Sequence, residues 1–322
     1  MAGNKEKNFA SAVVYVKNDA VRIGGFLKRL YGILEENFEK YEVICVNDNS
    51  ADGSGDAMRA FVRQERPQRP LTIVNLSIGQ GVELAMNAGL DLAIGDFVFE
   101  FDRPEMEYPE EMVMESYRTA LTGFDIVSVG PRHTPKLASR LFYSVFNRYS
   151  KSQYRLGTDV FRLVSRRAIH RVHAVNPTLV YRKAAYAASG LKLQQLFYDA
   201  PAGRAPGQAR GYRTDLAFDS LALYTDAAYK FSLAVSLVFL ALTLFSGIYT
   251  VVIYFSRAHI EGWTTTMLLL SGGFFGAFLV LTIVVKYLSL LVDLVFRRQK
   301  YLVESVEKLQ GDEGCALLWA RF

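Results

Sequence analysis

The chain has 322 residues, 51% of them hydrophobic, so it is long enough for one large buried core or two ordinary ones. A net charge of +5 and a pI near 9.0 suit a protein resting on anionic lipid, and no stripe of basic and aromatic residues supports a nucleic-acid partner. Two cysteines, Cys45 in an apolar strand pattern and Cys315 in a short tail, exclude a disulfide framework and a cysteine metal cluster.

Met1 to Phe9 is polar and lysine-bearing, and the apolar stretch behind it is only strand-length, so no signal peptide is expected and the first domain is expected in the cytosol. Short runs rich in β-branched residues recur at Ala12–Val16, Glu42–Val46, Leu71–Leu76, Phe97–Phe101 and Asp125–Val129. Helical spacing separates them. Phe26, Leu27, Leu30, Ile33 and Leu34 mark a helix over Val21–Phe38, and Leu84, Ala85, Ala88 and Leu92 mark another over Val82–Ala93. The alternation predicts an α/β fold with a mostly parallel sheet and helices on its faces. Ligands of such sheets gather at the carboxyl ends of the strands, here the loops that begin at Lys17, Asn47, Ser77 and Asp102.

Three of the four loops carry acids or amides where a nucleotide could be held. The turn Asn47-Asp48-Asn49-Ser50-Ala51-Asp52-Gly53-Ser54 ends a strand and opens a helix, offering carboxylates to a base or ribose and free N–H groups at the helix start. A calcium loop is excluded because Arg59 stands where the twelfth ligand should be glutamate. Gly79-Gln80-Gly81 is a turn rather than a dinucleotide fingerprint, since Leu84 occupies the place of the third glycine. In the acidic run Asp102, Glu105, Glu107, Glu110 and Glu111, the last two suit a solvated helix start. Asp102, at a strand end, is placed to hold Mg2+ or Mn2+ against a nucleotide diphosphate.

Past residue 131 the pattern changes. Leu137–Tyr154 suits an amphipathic helix in the headgroup region or one that covers the domain. Tyr198–Arg213 reads as a Gly- and Pro-rich loop, and Thr214–Tyr229 as another amphipathic stretch. Phe231–Ser256 and Trp263–Val285 contain no charge, and each is long enough to cross roughly 30 Å of hydrocarbon as a helix. Lys230 before the pair and Lys286, Arg297, Arg298 and Lys300 after it outnumber Arg257 in the connecting loop, which places both termini on the cytosolic face of the inner membrane. Lys286 is expected to reach the interface, and Gly272, Gly273 and Gly276 allow close helix packing in a homo-oligomer.

Taken together, these motifs resemble glycosyltransferase family 2, in its polyprenyl-phosphate branch of dolichol-phosphate mannosyltransferases and bactoprenol glucosyltransferases. Val14 through Asp19 resembles the family's first strand and its Asn-Glu pair, with Asn18 and Asp19 in those positions. Asn47-Asp48-Asn49-Ser50 resembles the nucleoside-holding Asp-Asp-Gly-Ser turn. Leu76-Ser77 with Gly81, Glu83, Ala85, Gly89, Ala93, Gly95 and Asp96 follows the next helix, and the segment closes in Phe97–Asp102. Phe161-Arg162-Leu163 with Ser165-Arg166-Arg167 resembles the acceptor-side segment, and Lys286 through Tyr301 resembles the end of the second span.

The resemblance implies a GT-A-like nucleotide-sugar domain, amphipathic interface helices and two transmembrane helices. It also implies sugar transfer from a nucleotide diphosphate to a polyprenyl phosphate. Asn18, Asp19, Asn47, Asp48, Ser50 and Gly81 would hold the donor, Asp102 and Asp159 would flank the reaction, and Arg162 and Arg166 would face the acceptor. The pattern departs from the family at three donor contacts. The second acid of the metal-binding Asp-x-Asp is Pro104, which leaves Asp102 with Glu105 as the nearest substitute; Ile78-Gly79 replaces Arg-Asn; and Asn47 replaces the first acid of the turn. Val160 is inserted between Asp159 and Phe-Arg-Leu. A non-catalytic homologue acting as an assembly partner is therefore the alternative. The expected divisions are 1–135 for the nucleotide-sugar domain, 136–229 for the acceptor-side segment, 230–296 for the membrane hairpin and 297–322 for a cytosolic tail.

Overall fold

A computed structural model describes residues 5–65, 70–132, 158–175, 181–199, 301–309 and 316–318, with isolated helical positions between 144 and 291. Strands β1 (Ala10–Val16), β2 (Tyr41–Asn47), β3 (Leu71–Leu76), β4 (Phe97–Phe101) and β5 (Ile126–Pro131) fall on the five predicted runs. Helices α1 (Ala20–Asn37), α2 (Ser54–Glu65), α3 (Val82–Leu92) and α4 (Glu111–Leu121) lie between them. The sheet then continues beyond the expected boundary at 135. It takes in β6 (Phe161–Ser165), β7 (Leu193–Tyr198), β8 (Val303–Leu309) and β9 (Ala316–Leu318), with α5 (Arg166–Val175) and α6 (Arg182–Ala188) between β6 and β7.

The strand order is β7-β5-β6-β4-β1-β2-β3-β8-β9. β1 pairs in parallel with β2 and β4, β2 with β3, and β5 with β7, while β6 and β8 each run antiparallel to both neighbours. The sheet is thus mixed. Alternate residues of each strand feed two cores. Ala12, Val14, Cys45, Ile73, Phe99 and Phe101 pack on the side of α1, α2 and α4; Val13, Ile44, Val46, Val74 and Val98 pack on the side of α3, α5 and α6. Gly89 lets α3 press directly onto the sheet, because a Cβ there would clash with Val13 and stand 2.8 Å from Val46 Cγ2. Burial pushes the Cys45 thiol well above its ordinary range, so it is an inert core residue.

Of the expected headgroup helix over Leu137–Tyr154, only Ser144 and Arg148 are described, both helical and exposed. The loop 200–213, the stretch 214–229, the tail beyond 318, Cys315 and most of the two apolar runs lie outside the described residues. Among the described residues no helix is long and apolar enough to cross a membrane. The described positions in the runs include Val238, Phe245, Leu270, Phe274, Leu281 and Val284, which are helical and exposed.

Candidate active site

The carboxyl ends of β1 and β2 are cross-braced by their own side chains. Asn18, at φ 53°, donates its backbone N–H to Ser50 Oγ (3.0 Å), and its Oδ1 accepts the Ala51 N–H (2.9 Å). Asp19 N–H donates to Ser54 Oγ and Ala20 N–H to Asp52 Oδ2, both at 2.9 Å. Lys17 closes the pair by donating to the carbonyls of Asp48 and Asn49. The Asp19 carboxylate is buried and paired with Arg22; burial raises its pKa against the pull of that arginine.

Asp48 is buried and already engaged. It accepts the backbone N–H groups of Gln80 (2.7 Å) and Gly81 (3.1 Å) and the Tyr15 hydroxyl (2.9 Å). It thereby fixes the β3–α3 turn, in which Gly81 starts the helix at φ 84°, a conformation that favours glycine. Asn47 faces Asn75 (2.9 Å) and accepts the Ser50 N–H; Asn75 continues to Glu307, which takes two bonds from Arg59. Asn18, Asp19, Asn47, Asp48, Ser50 and Gly81 are therefore brought together in the frame of three interlocked loops, those after β1, β2 and β3.

Beside them lies a buried ionic network that joins four elements. Glu83 stands in the first turn of α3, Glu100 within β4, Asp102 just after it, Asp159 before β6, Arg162 in β6, and Arg182, Lys183 and Tyr186 on α6. Arg182 has no exposed surface. Its guanidinium donates to Glu83 (2.9 Å), Glu100 (2.6 Å) and Asp102 Oδ1 (2.6 Å), and its backbone N–H donates to Glu83 (3.0 Å), which satisfies an otherwise unpaired group at the start of α6. Arg162 reaches Asp102 Oδ2 (2.5 Å) and Asp159 (3.4 Å); its Nε lies 3.3 Å from Glu100, an ion-pair distance without a hydrogen bond. Lys183 pairs with Asp159 (2.7 Å), and the Tyr186 hydroxyl donates to Glu100.

Burial alone would raise the Asp102 carboxyl, but the charges of Arg162 and Arg182 outweigh it and hold the group well below the usual carboxylate range. Burial together with Glu100 raises the Tyr186 hydroxyl, which stays protonated and donates. Asp102 retains 28% of its side-chain exposure and is the opening of this network to solvent.

Two of the expected contacts are placed differently from the expectation. The pair Asp102–Glu105 does not assemble as a metal site: both Asp102 oxygens meet arginines, Glu105 turns to Arg22, and Pro104 supplies no ligand. Among the described residues no group of three or more His, Cys, Asp or Glu side chains is placed to hold a metal ion. The described side chains therefore offer a metal ion no free carboxylate at this turn, and Mg2+ or Mn2+ would have to draw its oxygens from substrate phosphates and water. Arg166, expected beside the acceptor, lies at the opposite edge. β6 runs antiparallel to β4 with Phe161 beside Phe101 and Ser165 beside Phe97, so Arg166 follows at the far end, roughly 13 Å away along the strand, and donates to the Gly95 carbonyl.

Sequence reasoning overlooked Glu100, Arg182, Lys183 and Tyr186. Glu100 carried a signal, being a charge inside an apolar strand that demands a buried partner. The partners on α6 carried none, because that short helix is buried all round from Arg182 to Ala187 and shows no polar face.

Residues 11–172, the stretch from β1 into α5, match the family described as Glycosyl transferase family 2. An uncharacterized glycosyltransferase of Synechocystis sp. is 27% identical over 195 residues, covering 59% of this chain and 60% of that protein. An uncharacterized glycosyltransferase of Bacillus subtilis is 26% identical, covering 52% and 53%. The undecaprenyl-phosphate 4-deoxy-4-formamido-L-arabinose transferase of Aeromonas hydrophila is 28% identical over 130 residues, covering 40% and 39%. The matched stretches thus span about two fifths to three fifths of these relatives' own lengths. Among solved structures, a mannosyltransferase from Pyrobaculum calidifontis in complex with GDP-Man and Mn2+ aligns over 91% of this chain and 89% of its own, with 14% identity and a TM-score of 0.47. The family match runs through half of the chain and through most of the strands that carry the site, and the chain belongs to glycosyltransferase family 2.

Proposed function

We propose that this chain transfers a sugar from a nucleotide diphosphate to the phosphate of a membrane-held polyprenol on the cytosolic face of the inner membrane. The observation that carries this reading is the family match across the strand-end loops, together with relatives named as undecaprenyl-phosphate 4-deoxy-4-formamido-L-arabinose transferases. The reaction is a displacement at the anomeric carbon: an acceptor phosphate oxygen forms the new bond and the nucleotide diphosphate leaves. That phosphate is already ionised, so no strong general base is required. The interlocked loops at Asn18–Asp19 and Asn47–Ser50 would frame the nucleoside, and Asp102, Asp159 and Arg162 would border the reacting groups.

The sheet topology supports a lipid acceptor. The chain leaves β7 at Asp199 and rejoins at Tyr301 before β8, and both points lie at the site's edge, because β7 is parallel to β5 and Val303 sits beside Leu76. The segment between them contains both apolar runs. Val21, Ile78 and Leu302, exposed at the same edge, add apolar surface there. A reporter fused after Phe322 is expected to read cytosolic and one inserted at His259 external; the reverse would contradict the arrangement.

Asp102 and Pro104 favour a second reading, a non-catalytic homologue that serves as an assembly partner. Mass spectrometry of undecaprenyl phosphate incubated with the purified chain and a panel of UDP- and GDP-sugars decides between them. A lipid-linked sugar with stoichiometric release of nucleotide diphosphate supports transfer, and no product from any donor, by folded protein, supports the second reading.

A further inference from the structure

We infer that the acid at the end of β4 is balanced by two arginines of this chain instead of a divalent cation, and that donor binding at this edge is independent of such a cation. The inference deepens the proposed function and rests on it for the identity of the donor. It starts from the observation that each carboxylate in the network already faces a cation: Glu83 faces Arg182, Glu100 faces Arg182 and Arg162, Asp102 faces both, and Asp159 faces Lys183 and Arg162.

A metal ion at Asp102 would have to displace a guanidinium from one of its oxygens. Arg182 has nowhere to go, since it is fully buried and its other N–H groups are fixed by Glu83 and Glu100. Arg162 is held in register opposite Glu100 by β6 and is buried as well. The incoming cation would then stand beside two fixed positive charges in a poorly solvated site, where like charges repel far more than in water. It would also find no second free carboxylate beside Asp102, because Pro104 has no side-chain donor and Glu105 is turned to Arg22. The network makes Asp102 an anchor for the arginines that join β4, β6 and α6.

The test is an electron paramagnetic resonance titration of Mn2+ into the purified full-length chain, alone and with UDP or GDP, beside nucleotide affinities measured in EDTA and in Mn2+. The expected result is no protein-bound Mn2+ on the chain alone, and nucleotide affinity that changes by no more than about twofold between the two conditions. About one bound Mn2+ per chain that Asp102→Asn abolishes would overturn the inference, as would affinity that Mn2+ tightens by about tenfold or more. Bound Mn2+ that persists in folded Asp102→Asn would place the ion away from Asp102, and the nucleotide affinities in EDTA and in Mn2+ would then decide the inference. Where Asp102→Asn does not fold, the wild-type affinities decide alone. Absence of nucleotide binding in both conditions would count against the proposed donor, and the wild-type Mn2+ titration would then decide the inference by itself.

Discussion

Glu100 is a carboxylate inside a strand whose other residues are phenylalanine and valine, and it has no exposed surface. Its burial is tolerated because Arg182, Arg162 and Tyr186 surround it. Removing Arg182 leaves Glu100 and Glu83 without their main cation, so Arg182→Ala is expected to destabilise the protein by about 3–5 kcal/mol in chemical unfolding. A loss below about 1 kcal/mol would mean that the cluster is wet and loosely held. Asp102 supplies a pH signature. Its folded-state pKa lies below the ordinary value, so the stability it adds is present above the ordinary carboxylate range and disappears only as pH falls through the lower folded value. The gap in melting temperature between wild type and Asp102→Asn should persist to below about pH 4 before it closes. At this scale the sequence pointed to Asp102 as special but could not identify its partners, which stand at positions 162 and 182 with no spacing that relates them.

The elements divide by how they announce themselves. β1 to β5, α1 and α3 were legible because their apolar residues repeat at the period of a buried strand or of an amphipathic helix. β8 was read as tail, since Val303–Leu309 carries Glu304, Glu307 and Lys308 and resembles an exposed segment. Its place beside β3 is supported by Glu307, whose pKa is lowered by hydrogen bonds from Arg59 and Asn75, both distant in sequence. β7, Leu193–Tyr198, was missed because two glutamines interrupt its apolar run. Packing between α3 and the sheet gives a test at this scale. Gly89→Ala should cost about 1–3 kcal/mol, because its methyl has no room against Val13 and Val46. Gly25→Ala, exposed on α1 with nothing within 4 Å of the added Cβ, should instead stabilise by about 0.5–1 kcal/mol. Equal effects of the two in thermal unfolding would contradict the packing described here.

Across the whole molecule, the interlocked loops, the ionic network and both ends of the segment carrying the apolar runs lie at a single edge of one nine-stranded sheet. The α/β class and the site edge were readable from strand and helix alternation. The continuation of the sheet through residues 161–198 and 303–318 was not, because those strands pair with partners distant in sequence, β8 with β3 and β7 with β5, which no local pattern announces. That single edge is where a nucleotide diphosphate would be held. Calorimetric titration of the purified, detergent-solubilised chain with UDP and GDP in EDTA tests this most directly. Saturable binding of one of the two is expected without added metal, whereas no binding of either nucleotide by demonstrably folded protein, in EDTA or in Mn2+, would contradict a donor site at this edge.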